Sequence, residues 1–199
     1  EVPAGIGAVV MAVGPLLVLL LAVAHGIERF RRRALAGALV ALVGSVVIFF
    51  QPSEVAFEWP SLVLLAIAAL AASEAVVISK RVGRQHPVVM NFVAMTAGAA
   101  ALLVASVVAG ERLALPKEGE TQLALLYLVF ATVALFVCVL VVVQRWAASS
   151  TAYIFVLMPI VAVVLGSLIA DEPITLTTLL GGGIVAVGVY VGALTQRRR

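Results

Sequence analysis

The sequence predicts an all-α protein, a polytopic transmembrane helix bundle of seven spans. Three observations carry this. Apolar residues make up 64% of the 199-residue chain and charged residues only 12%, about half the charge that a water-facing surface needs. The mean hydropathy is +1.22. Seven apolar stretches are long enough to cross a hydrocarbon core about 30 Å thick, which takes about 20 helical residues. Strands of alternating polarity are not found, so a β-barrel is not the reading. Helices satisfy their own backbone groups, which lipid cannot do.

The first span, 3–24, holds Pro15, which removes an intrahelical hydrogen bond and bends the helix. The second, 34–50, is short enough to cross with little tilt, and its Gly37, Ala41 and Gly44 suit close helix approach. The third, 61–79, is the only one with a formal charge inside it, Glu74. The fourth, 88–109, carries Asn91 one turn in and a stripe of Ala97, Ala101, Ala105 and Ala109. The fifth, 123–143, contains the lone Cys138 and is followed by Gln144 and Trp146. The sixth, 151–170, opens on Tyr153 and has Pro159 in mid-span. The seventh, 176–194, carries Gly181, Gly188 and Gly192.

Charge placement orients the bundle. Eleven Lys/Arg fall in alternate loops and the tail: Arg29 and Arg31 to Arg33, Lys80, Arg81 and Arg84, Arg145, and Arg197 to Arg199. The opposite loops hold only Arg112 and Lys117. The positive-inside rule then predicts a cytoplasmic C-terminus in the cytoplasmic membrane of the cell. The net charge of +3 is a topology signal, and no nucleic-acid partner is expected. One cysteine allows no intrachain disulfide, and His25 and His86 have no metal-ligand spacing, so neither metal nor cofactor is expected.

A repeat lies in the chain. Pro15 pairs with Pro159, Glu28 with Glu172, Gly37 with Gly181 and Gly44 with Gly188, all at an offset of 144. Span one thus matches span six, an odd shift, and an odd shift reverses the direction of insertion. The pattern predicts inverted five-helix repeats. The first is incomplete: residues 1–51 form its last two helices and 52–199 the whole second repeat. The chain then reads as the last seven of ten spans.

On these residues the sequence resembles the drug/metabolite transporter superfamily, in its EamA-type members. The resemblance rests on Ala152 to Pro159, Ala170 to Thr175 and Gly181 to Gly188, with the counterpart Ala8 to Gly44. It implies two inverted five-helix repeats, cytoplasmic termini and secondary transport of small metabolites, often export. Two departures stand out: three leading spans have no counterpart here, and Glu74 follows Ser73 where the family is often aromatic or neutral.

Candidate functional residues follow from cost. A carboxylate at helix depth is expensive, so Glu74 is a candidate proton or substrate site; six residues before Lys80, it also reaches toward the interface. Asn91, Gln144, Trp146 and Tyr153 are expected near the cytoplasmic mouth as substrate-binding residues. Helix-end hydration competes for Asn91 and Gln144, and an interfacial anchor role for Trp146 and Trp59. Pro15 and Pro159 are candidate hinge or gating positions. Glu28 and Glu172 read as caps or loop ion pairs. Paired intramembrane acids, HExxH and a Ser/His pair are all missing, so an enzyme is not expected. A retinal protein needs a lysine in the last span, and none is there. The expected function is a secondary transporter, in the exporting direction, of small organic metabolites by alternating access, with proton coupling open. A non-catalytic membrane subunit or receptor-like seven-helix protein is the alternative. The expected partners are a small-molecule substrate, the lipid bilayer and, in a homodimer, a second copy.

Overall fold

The structure, a computed structural model, describes residues 4–49, 59–83, 85–111, 116–170 and 175–194. All regular structure among them is helical: α1 (Ala4–Met11), α2 (Gly14–Ala24), α3 (Arg32–Phe49), α4 (Trp59–Arg81), α5 (Pro87–Val108), α6 (Gly119–Arg145), α7 (Ala148–Thr151), α8 (Tyr153–Ala170), α9 (Leu176–Val189) and a π-helical turn (Tyr190–Leu194). Among the described residues, seven stretches are long and apolar enough to cross a membrane, at the seven places where the sequence puts them. Glu172 and the C-terminal arginines lie outside the described residues.

Two of the seven spans are broken. The first is α1 and α2, interrupted at Ala12 and Val13, with Pro15 in the first turn of α2. Proline tolerates that position because a first-turn N–H has no helical acceptor anyway. The sixth is the single turn α7 followed by α8, interrupted at Ala152. Here the helix runs on through Pro159, whose side chain is outside the described residues. The two repeat-related prolines thus stand in different local structures: one follows a break, the other sits inside a continuous helix.

The chain falls into two compact units, Glu1–Arg81 with Trp146–Arg199, and Val82–Arg145. In the larger unit, α3 packs along α9 through glycines. A Cβ added at Gly44 would lie 2.6 Å from the Val185 nitrogen and 2.8 Å from the Gly181 carbonyl. One at Gly188 would lie 2.5 Å from the Ala41 nitrogen and 2.7 Å from the Gly37 carbonyl. Early α3 therefore meets late α9 and the reverse, so the helices run antiparallel, backbone against backbone. Ala38, Ala41, Tyr153, Val156, Val185 and Val189 form the buried cluster beside this seam. Contact Gly37–Gly188 becomes Gly181–Gly44 when each residue is exchanged for its partner 144 positions away. The seam contact is therefore symmetric under the 144-residue offset.

The smaller unit is the hairpin of α5 and α6. Long stretches of both helices expose Leu, Val, Phe and Tyr, among them Leu102, Val108, Leu123 and Phe130. Such a surface suits hydrocarbon rather than water.

Candidate functional site

α2 ends in a Schellman motif. Ile27 N–H bonds the Ala22 carbonyl at 2.9 Å, Gly26 N–H bonds Val23 at 3.0 Å, and Gly26 takes φ 70°. This left-handed turn sets His25 and Glu28 at the end of the helix, where each reaches another element.

Glu28 is the most heavily used acid among the described residues. Its side chain is 9% exposed and pairs with Arg31 at 3.2 Å. Its carboxylate also accepts from the backbone N–H of Ser149 at 3.1 Å and from the Ser149 hydroxyl at 2.5 Å. Ser149 belongs to the first turn of α7, so Glu28 caps that helix from a distant loop. Arg31 adds a 3.2 Å bond to the same hydroxyl. The cap and loop-pair reading of Glu28 is what the contacts show, though the capped helix is far away in sequence.

Glu74, on α4, lies 3.1 Å from Nε2 of His25, with the two side chains 29% and 28% exposed. Arg81 Nη1 lies 3.5 Å from His25 Nδ1. A guanidinium only donates, so this arrangement leaves Nε2 to carry the hydrogen facing Glu74. The acid singled out by the sequence therefore sits at the helix-end level, with a histidine partner that the sequence did not offer. His25 stands 49 residues away, and no local pattern links the two.

The remaining candidates divide between the units. Tyr153 is buried, and its hydroxyl donates to the Ala34 carbonyl at 2.9 Å, tying α8 to the start of α3. A Cβ on Gly192 would strike that hydroxyl, which explains a glycine in the π-helical turn. Trp146 is half-exposed, and its carbonyl receives Lys80 Nζ at 2.7 Å. In the smaller unit, Gln144 donates to the Gln85 carbonyl at 2.6 Å and approaches Met90 Sδ at 3.8 Å, and Asn91 is buried. Glu74 and Tyr153 each engage a protein partner, His25 and the Ala34 carbonyl.

The clearest cavity is elsewhere. A cleft of ≈ 220 Å³ opens between α2, α4 and α8, with Met11, Gly14, Ala69, Ser73, Phe155 and Met158 on its walls. Both span breaks reach it: Met11 and Gly14 flank the first, and Ala152, also a wall residue, is the second. The lining contains two repeat-related pairs, Met11 with Phe155 and Gly14 with Met158, each 144 apart. None of the five sequence-chosen binding residues lines it, but Ser73 and Ala152 are the immediate neighbours of Glu74 and Tyr153. Pro15 and Pro159 each stand next to a wall residue. The sequence points to polar residues, whereas this cavity is walled mainly by apolar residues near the two prolines. The 144-residue offset was the signal that could have found it. Metal-binding groups of three or more His, Cys, Asp or Glu are not present among the described residues.

A multi-pass helix bundle with a cleft where two broken spans meet is the architecture of a membrane transporter. Residues 59–193 match the EamA-like transporter family, and the chain belongs to that family. It is 24% identical over 198 residues to an uncharacterized transporter of Archaeoglobus fulgidus, covering 96% of this chain and 68% of that protein. It is 27% identical over 196 residues to the uncharacterized inner membrane transporter YedA of Escherichia coli K12, covering 98% of this chain and 63% of that protein. This chain thus spans about two thirds of the length of these curated relatives. A solved crystal structure superposes with a TM-score of 0.74 at 23% identity, over 98% of this chain and 70% of the other; the likeness is one of fold. The protein is a membrane transporter and not an enzyme by family and by relatives.

Proposed function

We propose that the protein is a secondary transporter that exports small organic metabolites across the cytoplasmic membrane by alternating access, with its C-terminus in the cytoplasm. The observation that carries this reading is the cleft itself. Repeat-related residues from two interrupted spans converge there, and interrupted spans at a repeat interface are where transporters hold their cargo. Proton coupling is assigned to the Glu74–His25 pair. The pair bridges α4 and the end of α2, the two helices that supply Val18, Ala69 and Ser73 to the cleft. Protonation of Glu74 removes its charge from the bridge. α2 and α4 are then freer to part, which links proton uptake to the width of the cleft. Arg81 faces the same imidazole from α4.

The test is transport by the full-length protein in proteoliposomes under an imposed pH gradient. Glu74→Gln is expected to abolish gradient-driven movement while leaving exchange of substrate for substrate intact. Unchanged gradient-driven transport with an unchanged pH dependence removes the coupling assignment.

A further inference from the structure

The segments that wall the cleft are tied to one another at one end, and each pair has its own tie. His25, at the end of α2, meets Glu74 of α4 at 3.1 Å. Glu28, in the loop after α2, holds the single turn α7 through the Ser149 N–H at 3.1 Å and through the Ser149 hydroxyl. Lys80, in the last turn of α4, donates to the carbonyl of Trp146, just ahead of α7, at 2.7 Å. The Glu28 carboxylate also attracts the Lys80 ammonium. All three ties lie beside the arginine-bearing loops, the end that charge placement marks as cytoplasmic. α7 is set apart from the helix that follows it. It is one turn long, and the break at Ala152 separates it from α8. Ala152 is itself a wall residue, so a swing about that break changes the cleft directly. Ser149, Ser150 and Thr151 are buried, and the Ser150 hydroxyl has no hydrogen-bond partner in this arrangement. A buried hydroxyl left unpaired carries a cost that a displaced α7 can relieve. The repeat equivalents of these three residues, 144 positions back, are Gly5, Ile6 and Gly7. The equivalent turn therefore carries no hydroxyl, and the two halves do not share this anchorage.

Resting on the transporter reading above, we propose that α7 is the cytoplasmic gate of the cleft, latched shut by Glu28 and Lys80. Neither latch residue lines the cleft; both act through α7, as positioning residues. With the latches made, the walls are held together at their cytoplasmic ends and the cleft is closed on that side. With them released, α7 swings about Ala152 and the cleft opens to the cytoplasm. Both latches are charge-assisted hydrogen bonds, stronger than neutral ones, and each joins α7 to a different wall helix. Losing either one shifts the balance between closed and open without touching the surface that meets the solute.

The experiment is one-sided thiol labelling of the full-length protein, with Cys138 and any other cysteine replaced by alanine and a reporter placed on the cleft wall by Ala72→Cys. The probe is a membrane-impermeant trimethylammonium methanethiosulfonate, applied to right-side-out and to inside-out membrane vesicles. With the latches intact, the reporter is expected to react from the outer face and only slowly from the cytoplasmic face. Lys80→Met and Glu28→Gln are each expected to raise the cytoplasmic rate about tenfold, the effect of losing one charge-assisted hydrogen bond on a two-state balance, and to lower the outer rate. Lys80→Arg keeps a donor for the Trp146 carbonyl and is expected to label like the parent. Should Glu28→Gln fail to fold, Lys80→Met against Lys80→Arg decides. Rates that rise equally from both faces mean general loosening, and they overturn the gate, as do unchanged rates in Lys80→Met. The transporter reading fails separately: it requires outer-face labelling in the parent. Cytoplasmic labelling that rises on unlatching, with no outer-face labelling in any variant, supports the gate and overturns alternating access.

Discussion

Glu28 and Glu74 show how little an acid's sequence position says about its use. Glu28 looks like a loop residue, yet its carboxylate closes the N-terminus of α7 and holds Arg31 and Ser149 together. Removing it leaves a nearly buried backbone N–H and a guanidinium short of a partner. Glu28→Ala is expected to destabilise the protein by about 2 kcal/mol, read as a lower denaturant midpoint. Ser149→Ala should cost less, since it removes the hydroxyl but spares the backbone bond; equal losses for the two would deny the cap. Tyr153→Phe removes the hydroxyl that reaches the Ala34 carbonyl and should cost about 1 kcal/mol, with transport retained, because that hydroxyl lies on no wall of the cleft. Glu74 and Tyr153 stand out in the sequence as polar groups in an apolar chain. Their partners, His25 for Glu74 and Ala34 for Tyr153, are 49 and 119 residues away, and nothing local reports them.

The α3–α9 seam sets the strictest demand on a pair of helices. At Gly44 and Gly188 an added side chain meets backbone, which cannot turn aside as a flexible side chain can. Gly188→Val is therefore expected to force the helices apart, at a cost of about 3 kcal/mol or more, and to lower the yield of folded protein. Gly182 and Gly183 lie in the same helix with nothing within 4 Å of an added Cβ. Gly183→Ala is expected to be neutral or to stabilise by about 0.5 kcal/mol. A thermal-stability comparison in one detergent checks both; similar behaviour of the two variants would mean that the seam is not as drawn. The glycines were legible as packing positions from sequence, but which of them face a neighbour was not, since a run of three covers three sides of a helix. The breaks at Ala12–Val13 and Ala152 were equally hidden: the hydropathy that reveals a span is an average, and an average does not register two residues out of helical geometry.

At the scale of the molecule, the arginine distribution argues for one orientation, and a fusion experiment reads it. A fluorescent protein joined after Leu194 is expected to fluoresce in the cytoplasm, and alkaline phosphatase at the same place to be inactive. The opposite pattern would reverse the topology. By itself the sequence determined the solvent, the number of spans, the repeat offset and the family resemblance. Those are sums over many residues or matches at a fixed spacing, and both survive without coordinates. Tertiary structure alone decided that the two broken spans share one cleft, that Met11 and Phe155 stand on its walls, and that Glu74 answers to His25. The reason is physical: a site is a meeting of residues distant along the chain, and helix packing, not composition, chooses which of them meet.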